Sequence, residues 1–276
     1  MIERGVAILG AGRMGQGIGL ALARAGVPVF LVSRRAHAVT PPLVLHPEGR
    51  VDALGRASLV CLAVPDDGIT PLAAELGDER AVGPHSVVLH LSGLLDRAAL
   101  TPLAASGAGL GSFHPLQTIA DPAAGPDRLA GAYAGIEGDG RALAAAEALA
   151  AALGMHTVRL DGAAKAVYHA GAVMAANYTV ALAGVAERLA GSAGVPAQAA
   201  ARIYLPLVRG AAANLELGPA VALTGPVRRG DAQTVAAHLA ALDPADRVLY
   251  RRLGLEALRL AREAGLEPAL AARVEA

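Results

Sequence analysis

The chain has 276 residues, equal numbers of acidic and basic side chains at 24 each, and an aromatic share of 3% without tryptophan. Balanced charge and few rings for base stacking argue against nucleic acid as a partner. One cysteine, Cys61, inside an apolar run excludes an internal disulfide and a cysteine metal cluster, and fits the reducing cytoplasm.

Met1 to Gly10 lacks the pattern of an export signal, and its apolar residues Val6 to Leu9 predict a strand. A helix pattern follows over Gly17 to Ala25, then a strand at Val29 to Ser33, another at Leu59 to Val64 and a helix over Ile69 to Leu76. Further strands are predicted at Val87 to Leu91, Gly109 to Phe113, Ala132 to Ile136 and His156 to Leu160, with a helix over Arg141 to Leu153. The alternation specifies an α/β Rossmann-type N-terminal domain with a mostly parallel sheet, residues 1–161. Residues 162–276 read as an all-α domain for substrate binding and dimerisation. It opens with a single helical segment from Ala163 to Ser192, about 30 residues and far above the mean helix length. Ala166 to Ala186 carries no charge, yet His169, Asn177, Tyr178 and Thr179 make it too polar for a lipid-facing helix. No membrane span is expected there, but a core or subunit-interface helix, and with it a homodimer.

Between the first strand and helix lie Gly10, Ala11, Gly12, Arg13, Met14 and Gly15, a GxGxxG turn. In that context amide N–H groups and the helix dipole face a pyrophosphate. The second strand ends in Ser33, Arg34 and Arg35, where a protein that prefers NAD would place a carboxylate on the ribose. A hydroxyl and arginine forks suit a 2′-phosphate, so NADP is favoured over NAD. Val64 and Pro65, at the carboxyl edge of the sheet, are expected to border the nicotinamide; Asp66 either joins them or caps the next helix.

Further along stand His90 to Gly93, Ser112 to Gln117, Tyr168 to Ala170 with Asn177, and Leu223 to Pro226 with Arg229, Gly230, Asp231, Thr234 and His238. In this order and spacing they resemble a family of Rossmann-like proteins whose C-terminal domain is a domain of unknown function, DUF2520. The resemblance implies an NADP-dependent oxidoreductase but supplies no substrate. More distantly the layout is similar to pyrroline-5-carboxylate reductase, ketopantoate reductase and the 3-hydroxyacid dehydrogenases. In those enzymes a helical domain builds much of the dimer interface. The last group implies a catalytic lysine on the first long helix of the second domain, with an asparagine four residues on. Here Lys165 and His169 take that spacing, and the asparagine is not matched.

Carbonyl or imine reduction requires a proton donor or oxyanion stabiliser from the protein. His169, His114 and Lys165 are the catalytic candidates, with a structural histidine and a solvated lysine as the alternatives. Phe113 and Tyr168, beside the histidines, are expected to wall one pocket. Ser92 and Gly93 either bind substrate or form a turn. Asn177 is a candidate for the substrate tail and Arg229 for a substrate carboxylate, while Asp231 suits an N-cap. No close ligand pair points to a metal, although His90, His114, His169, His238 and Asp231 need not be neighbours in sequence to share one. The pattern favours reduction of a small substrate such as a 2-oxo acid; the rival is a non-catalytic NADP-binding sensor or scaffold that dimerises through its helices.

Overall fold

The computed structural model describes Ile2 and residues 4–34, 38–46 and 49–275, so Arg35 lies outside the described residues. The chain forms two compact units, Met1–Tyr178 and Thr179–Ala276. In chain order the first holds β1 (Val6–Leu9), α1 (Arg13–Arg24), β2 (Val29–Val32), α2 (Gly49–Arg56), β3 (Leu59–Leu62), α3 (Asp66–Asp78) and β4 (Val87–His90). It continues with β5 (Gly109–Pro115), α4 (Gly125–Leu129), β6 (Tyr133–Gly138), α5 (Gly140–Ala152), β7 (His156–Arg159), α6 (Lys165–Ala175) and the start of α7 (Asn177–Ser192).

Strand residues alternate between two layers, as the pleat requires. Val6 and Ile8 pack with Ile18 and Leu22 of α1 and Ala146 and Leu149 of α5. Ala7 and Leu9 face the opposite layer, with Ile69, Leu72 and Leu76 of α3. Burial on both sides explains why these strands are apolar throughout rather than alternating. The seven strands run β2-β1-β3-β4-β5-β6-β7. Only the β5 and β6 pair is antiparallel. Because β2 lies on one side of β1 and β3 on the other, the chain reverses direction across the sheet between β1 and β3. Ligands settle at such a switch point, beyond the carboxyl ends of the strands.

Three local features depart from the sequence pattern. The expected helix Ala163 to Ser192 is divided at Ala176, whose φ of −107° and ψ of −64° are displaced from regular helical values although its N–H still bonds the Ala172 carbonyl. Asn177, a residue type that favours helix starts over interiors, then opens α7. Helix α2 and a run of 3₁₀ turns from Arg97 to Ser106 also arise where no clear period announced them. The first has a polar composition and the second contains Pro102, which removes an amide donor. Finally, α6 and the start of α7 are largely exposed rather than buried in a core, Val167 at 79% and Val180 at 73%. Among the described residues no helix is long and apolar enough to cross a membrane.

The second unit continues α7 and adds α8 (Ala197–Ile203), α9 (Leu205–Asn214), α10 (Pro219–Ala222), α11 (Gly225–Arg229), α12 (Ala232–Ala241), α13 (Pro244–Glu263) and α14 (Pro268–Glu275). Its core joins Val227, Val235, Leu258, Ala261, Leu266 and Ala271. Arg188 of α7 grips Asp246 of α13 through two hydrogen bonds, 2.5 and 2.6 Å. Asp231 caps α12, accepting from the Thr234 N–H and hydroxyl, and these bonds hold its carboxyl below the usual range.

Candidate functional site

The loop after β1 and the loop after β3 enclose a groove of about 690 Å³ at the switch point. Gly10, Ala11 and Gly12 form one wall and Ala63, Val64 and Pro65 the other, with Ser33, Arg34 and Arg50 also lining it. Gly10 has φ +127°, and a Cβ there would stand 2.2 Å from the Ala63 carbonyl oxygen. A Cβ on Gly15 would meet the Gly10 carbonyl oxygen at 2.1 Å. These two glycines therefore let strand, turn and helix approach closely. Gly12 differs, for beyond its chain neighbours no atom of the described residues lies within 4 Å of where its Cβ would be. Space is kept open where a phosphate would sit against the first turn of α1, whose leading N–H groups have no intrahelical partner. No side chain caps that turn and none of its own residues is acidic, while Asp67 borders the groove from α3. Buried Gln16 ties the turn to the loop after β2, donating to the Ala11 and Ala38 carbonyls and accepting from the Thr40 N–H. The cradle fits a dinucleotide pyrophosphate. Arg13 is exposed beside it, and Met14 lines the adjoining cleft.

At the far end, Arg34 reaches Glu75 at 3.5 Å. Arg50 bonds Glu75 at 2.8 Å and Glu79 through Nε at 3.0 Å. Arg50 lies on α2, a helix that no periodic pattern in the sequence announces. Its position beside Ser33 is a product of the fold alone.

A smaller cleft of about 230 Å³ adjoins the groove, lined by Met14, Ala63, Val64, Asp66, Leu91, Ser92, His114, Pro115 and Gln117. Ala63 and Val64 belong to both spaces. His114 projects from the end of β5. Its ring makes edge contacts with Tyr168 and His169 of α6, centroids 5.7 and 5.4 Å away, and its Nδ1 lies 3.4 Å from the Tyr168 hydroxyl. Burial, with Lys165 and His169 nearby, lowers its pKa to about 4, so at neutral pH the imidazole is uncharged. The His169 Nδ1 is buried without a hydrogen-bond partner among the described residues. Gly93 seals the arrangement: a Cβ there would fall 2.4 Å from the His169 Nδ1 and 2.7 Å from the His114 Cε1. Packing thus accounts for Gly93. Ser92 forms the turn, its Oγ accepting from the N–H groups of Leu94 and Leu95.

Lys165 is not the solvated residue that a helix start usually holds. It has no solvent exposure, and its Nζ donates to the Ser112 hydroxyl at 2.7 Å and the Ser92 carbonyl at 3.1 Å. Burial lowers its pKa to about 8, opposed by Glu137, Asp96 and Asp66. A signal in the sequence marks this residue: it is the only lysine, all the other basic side chains being arginine. A planar guanidinium is always charged and far bulkier, so it cannot replace a compact ammonium in a closed chamber. Beside it His90 is fully buried with its tautomer set by its partners, Nδ1 accepting from the Ser92 N–H and Nε2 donating to the Asp96 carbonyl.

Other expectations land elsewhere. Phe113 is no pocket wall, since alternation along β5 turns it into the core opposite His114, with no exposure. Asp66 is not the cap of α3, which Pro65 precedes; it opens the helix and borders the cleft. Asn177 is exposed at the head of α7, beyond the break that ends the face shared by Lys165 and His169. Arg229 is exposed at the end of α11 in the second unit. Among the described residues no three His, Cys, Asp or Glu side chains gather to hold a metal ion.

No curated protein matches the chain. Among solved structures, protein TM1727 of Thermotoga maritima has a TM-score of 0.69 at 23% identity, over 94% of this chain and 98% of that one. The pyrroline carboxylate reductase of Plasmodium falciparum, solved with NADP bound, has a TM-score of 0.63 at 11% identity over 99% and 100%. A reductive aminase of Aspergillus terreus, in complex with NADPH and ethyl levulinate, has 0.62 at 19% over 98% and 98%. These likenesses establish the fold. The family model of a Rossmann-like domain matches residues 3–115, and that of the domain of unknown function DUF2520 matches 132–257. The chain therefore carries a Rossmann-like domain followed by a DUF2520 domain.

Proposed function

We propose that the protein is an NADP-dependent oxidoreductase that reduces a small carbonyl or imine compound. The observation that carries this reading is the continuity of groove and cleft through Ala63 and Val64. A dinucleotide on the glycine turn has Ser33, Arg34 and Arg50 at one end and His114 at the other. NADP and NADPH in the reductase and aminase that share the fold support this choice of cofactor over NAD. When bound, the cofactor supplies the hydride.

The chain's own part is to bind and to manage charge. N–H groups opening α1 hold the pyrophosphate, and arginine forks take the 2′-phosphate. His114, neutral at working pH, offers a ring N–H to the substrate oxygen or nitrogen as negative charge develops there. Lys165 fixes a positive charge behind the Ser92 carbonyl, under the cleft floor. By function we divide the chain into a cofactor domain, residues 1–161, and a substrate and dimerisation domain, residues 162–276, in a cytoplasmic protein. Exposed apolar side chains on α6, α7 and α9, including Val167, Met174, Val180 and Leu207, support burial against a second copy.

Purified protein is mixed with NADPH and a panel of 2-oxo acids, ketones with added amines, and cyclic imines, and oxidation of NADPH is followed by absorbance. Turnover that His114→Ala reduces at least about 100-fold supports the assignment. NADPH binding without turnover on any member of the panel favours a sensor instead. Light scattering that finds only monomer at micromolar concentration overturns the dimer.

A further inference from the structure

Three strands place polar side chains in one row across the sheet: His90 pairs with Ser112, and Ser112 with Glu137. Cross-strand partners point to the same face, with Cβ atoms about 5 Å apart in an antiparallel pair. Lys165 Nζ sits on the middle member, 2.7 Å from the Ser112 hydroxyl, so Glu137 flanks the same hydroxyl from β6. Glu137 is itself poorly exposed, its side chain at 11%, and is pinned by the Arg97 N–H at 2.8 Å, with the Arg97 guanidinium 3.8 Å away. Behind it opens a second pocket of about 570 Å³, on which Asp96, Asp139 and Asp161 also border. Lys165 thus lies between the substrate cleft and an acidic solvent pocket, reaching neither.

We propose that Glu137, acting across Ser112, is a positioning residue that keeps Lys165 protonated beneath the substrate cleft. A buried ammonium is disfavoured unless an opposite charge stands near it. Its first helical turn adds the positive end of the α6 dipole, which opposes it further. Every charged or titratable group facing the lysine bears on the balance. Glu137 on β6, Asp96 before the 3₁₀ turns and Asp66 at the start of α3 favour the charged form. His90 on β4 and His114 on β5 are neutral at working pH and neither help nor oppose. Glu137 is foremost among the three carboxylates. Its own carboxyl is raised by burial, the cost of standing where it does, while the Arg97 N–H holds it partly down. The inference adds to the reductase reading the source of the charge under its cleft, yet its test reads the lysine directly and stands or falls apart from any turnover.

Because Lys165 is the only lysine, protein grown on lysine labelled with 13C at Cε gives one side-chain resonance, whose shift against pH reports the ammonium. In Glu137→Gln, which keeps the acceptor for the Arg97 N–H, the midpoint is expected to fall by about 1 pH unit or more. Arg97→Gln, at an exposed position, removes a cation from Glu137 and is expected to move the midpoint the other way; it serves if Glu137→Gln does not fold. An unchanged midpoint in Glu137→Gln, or an unchanged or lowered one in Arg97→Gln, overturns the proposal.

Discussion

The ammonium of Lys165 lies 2.7 Å from the hydroxyl of Ser112 in a chamber closed to solvent. A charge in such a place is sustained by its surroundings, and its removal has consequences that separate activity from stability. In Lys165→Met, turnover of NADPH is expected to drop at least about 100-fold, in the range of a lost general acid or charge stabiliser. The melting temperature at pH 7 is expected to hold or rise, since an apolar side chain replaces a desolvated charge. Parallel loss of activity and melting temperature would assign the lysine a structural role.

Titration gives a second expectation. Lys165 ionises near pH 8 in the folded protein against an ordinary 10.5, so reduction of substrate is expected to decline as pH rises through about 8. His90 and His114 are lowered to about 4 from 6.5. Between those values the unfolded chain binds protons that the folded chain does not, so stability rises with pH from about 4 to 6.5 and is lost as pH falls. Above about 8 the same sign applies to Lys165 up to 10.5. Urea midpoints at a series of pH values check the slope; a flat profile between pH 4 and 6.5 would contradict the buried neutral histidines.

The glycines of the turn are expected to fail differently. Gly10→Ala forces a Cβ into the Ala63 carbonyl at a left-handed φ and is expected to destabilise the fold. Gly12→Ala meets nothing beyond its chain neighbours among the described residues, so it is expected to melt like the wild type yet bind NADPH at least about 10-fold more weakly, filling the phosphate space. Fluorescence titration with NADPH and thermal melts of both variants distinguish the two cases.

Arg34→Ala and Arg50→Ala are each expected to weaken NADPH binding about 10-fold while leaving NADH almost unaffected, as loss of a phosphate partner requires. Equal losses for both cofactors would mean that Arg50 serves only to tether α2 to α3 through Glu75 and Glu79.

In the helical unit, Asp231→Ala removes two hydrogen bonds that start α12 and is expected to lower the midpoint of chemical denaturation. NADPH affinity unchanged in the same variant would keep Asp231 out of the cofactor site.

What the sequence disclosed follows from which forces are local. Buried parallel strands such as Val6–Leu9 and the glycine turn after them are written in consecutive residues, as is the cap at Asp231. The break at Ala176 is hidden because Ala175 and Ala176 themselves favour helix and no proline or glycine follows to mark a stop. Arg50 and Glu137 reach their places through packing and strand register, which no local window records. Lys165 is legible in identity but not in environment: a lysine near a helix start is usually solvated, and only the fold shows that this one is buried.

Strand β5 carries Ser112 and His114 on one face and Phe113 on the other. A slip of one residue in its pairing would drive the phenyl ring into the lysine chamber and strand both polar groups in oil. The reactive geometry is thus policed by the folding reaction itself: a molecule with a misassembled centre is also one with a ruined interior, and the cell's proteases would remove it before it could bind anything.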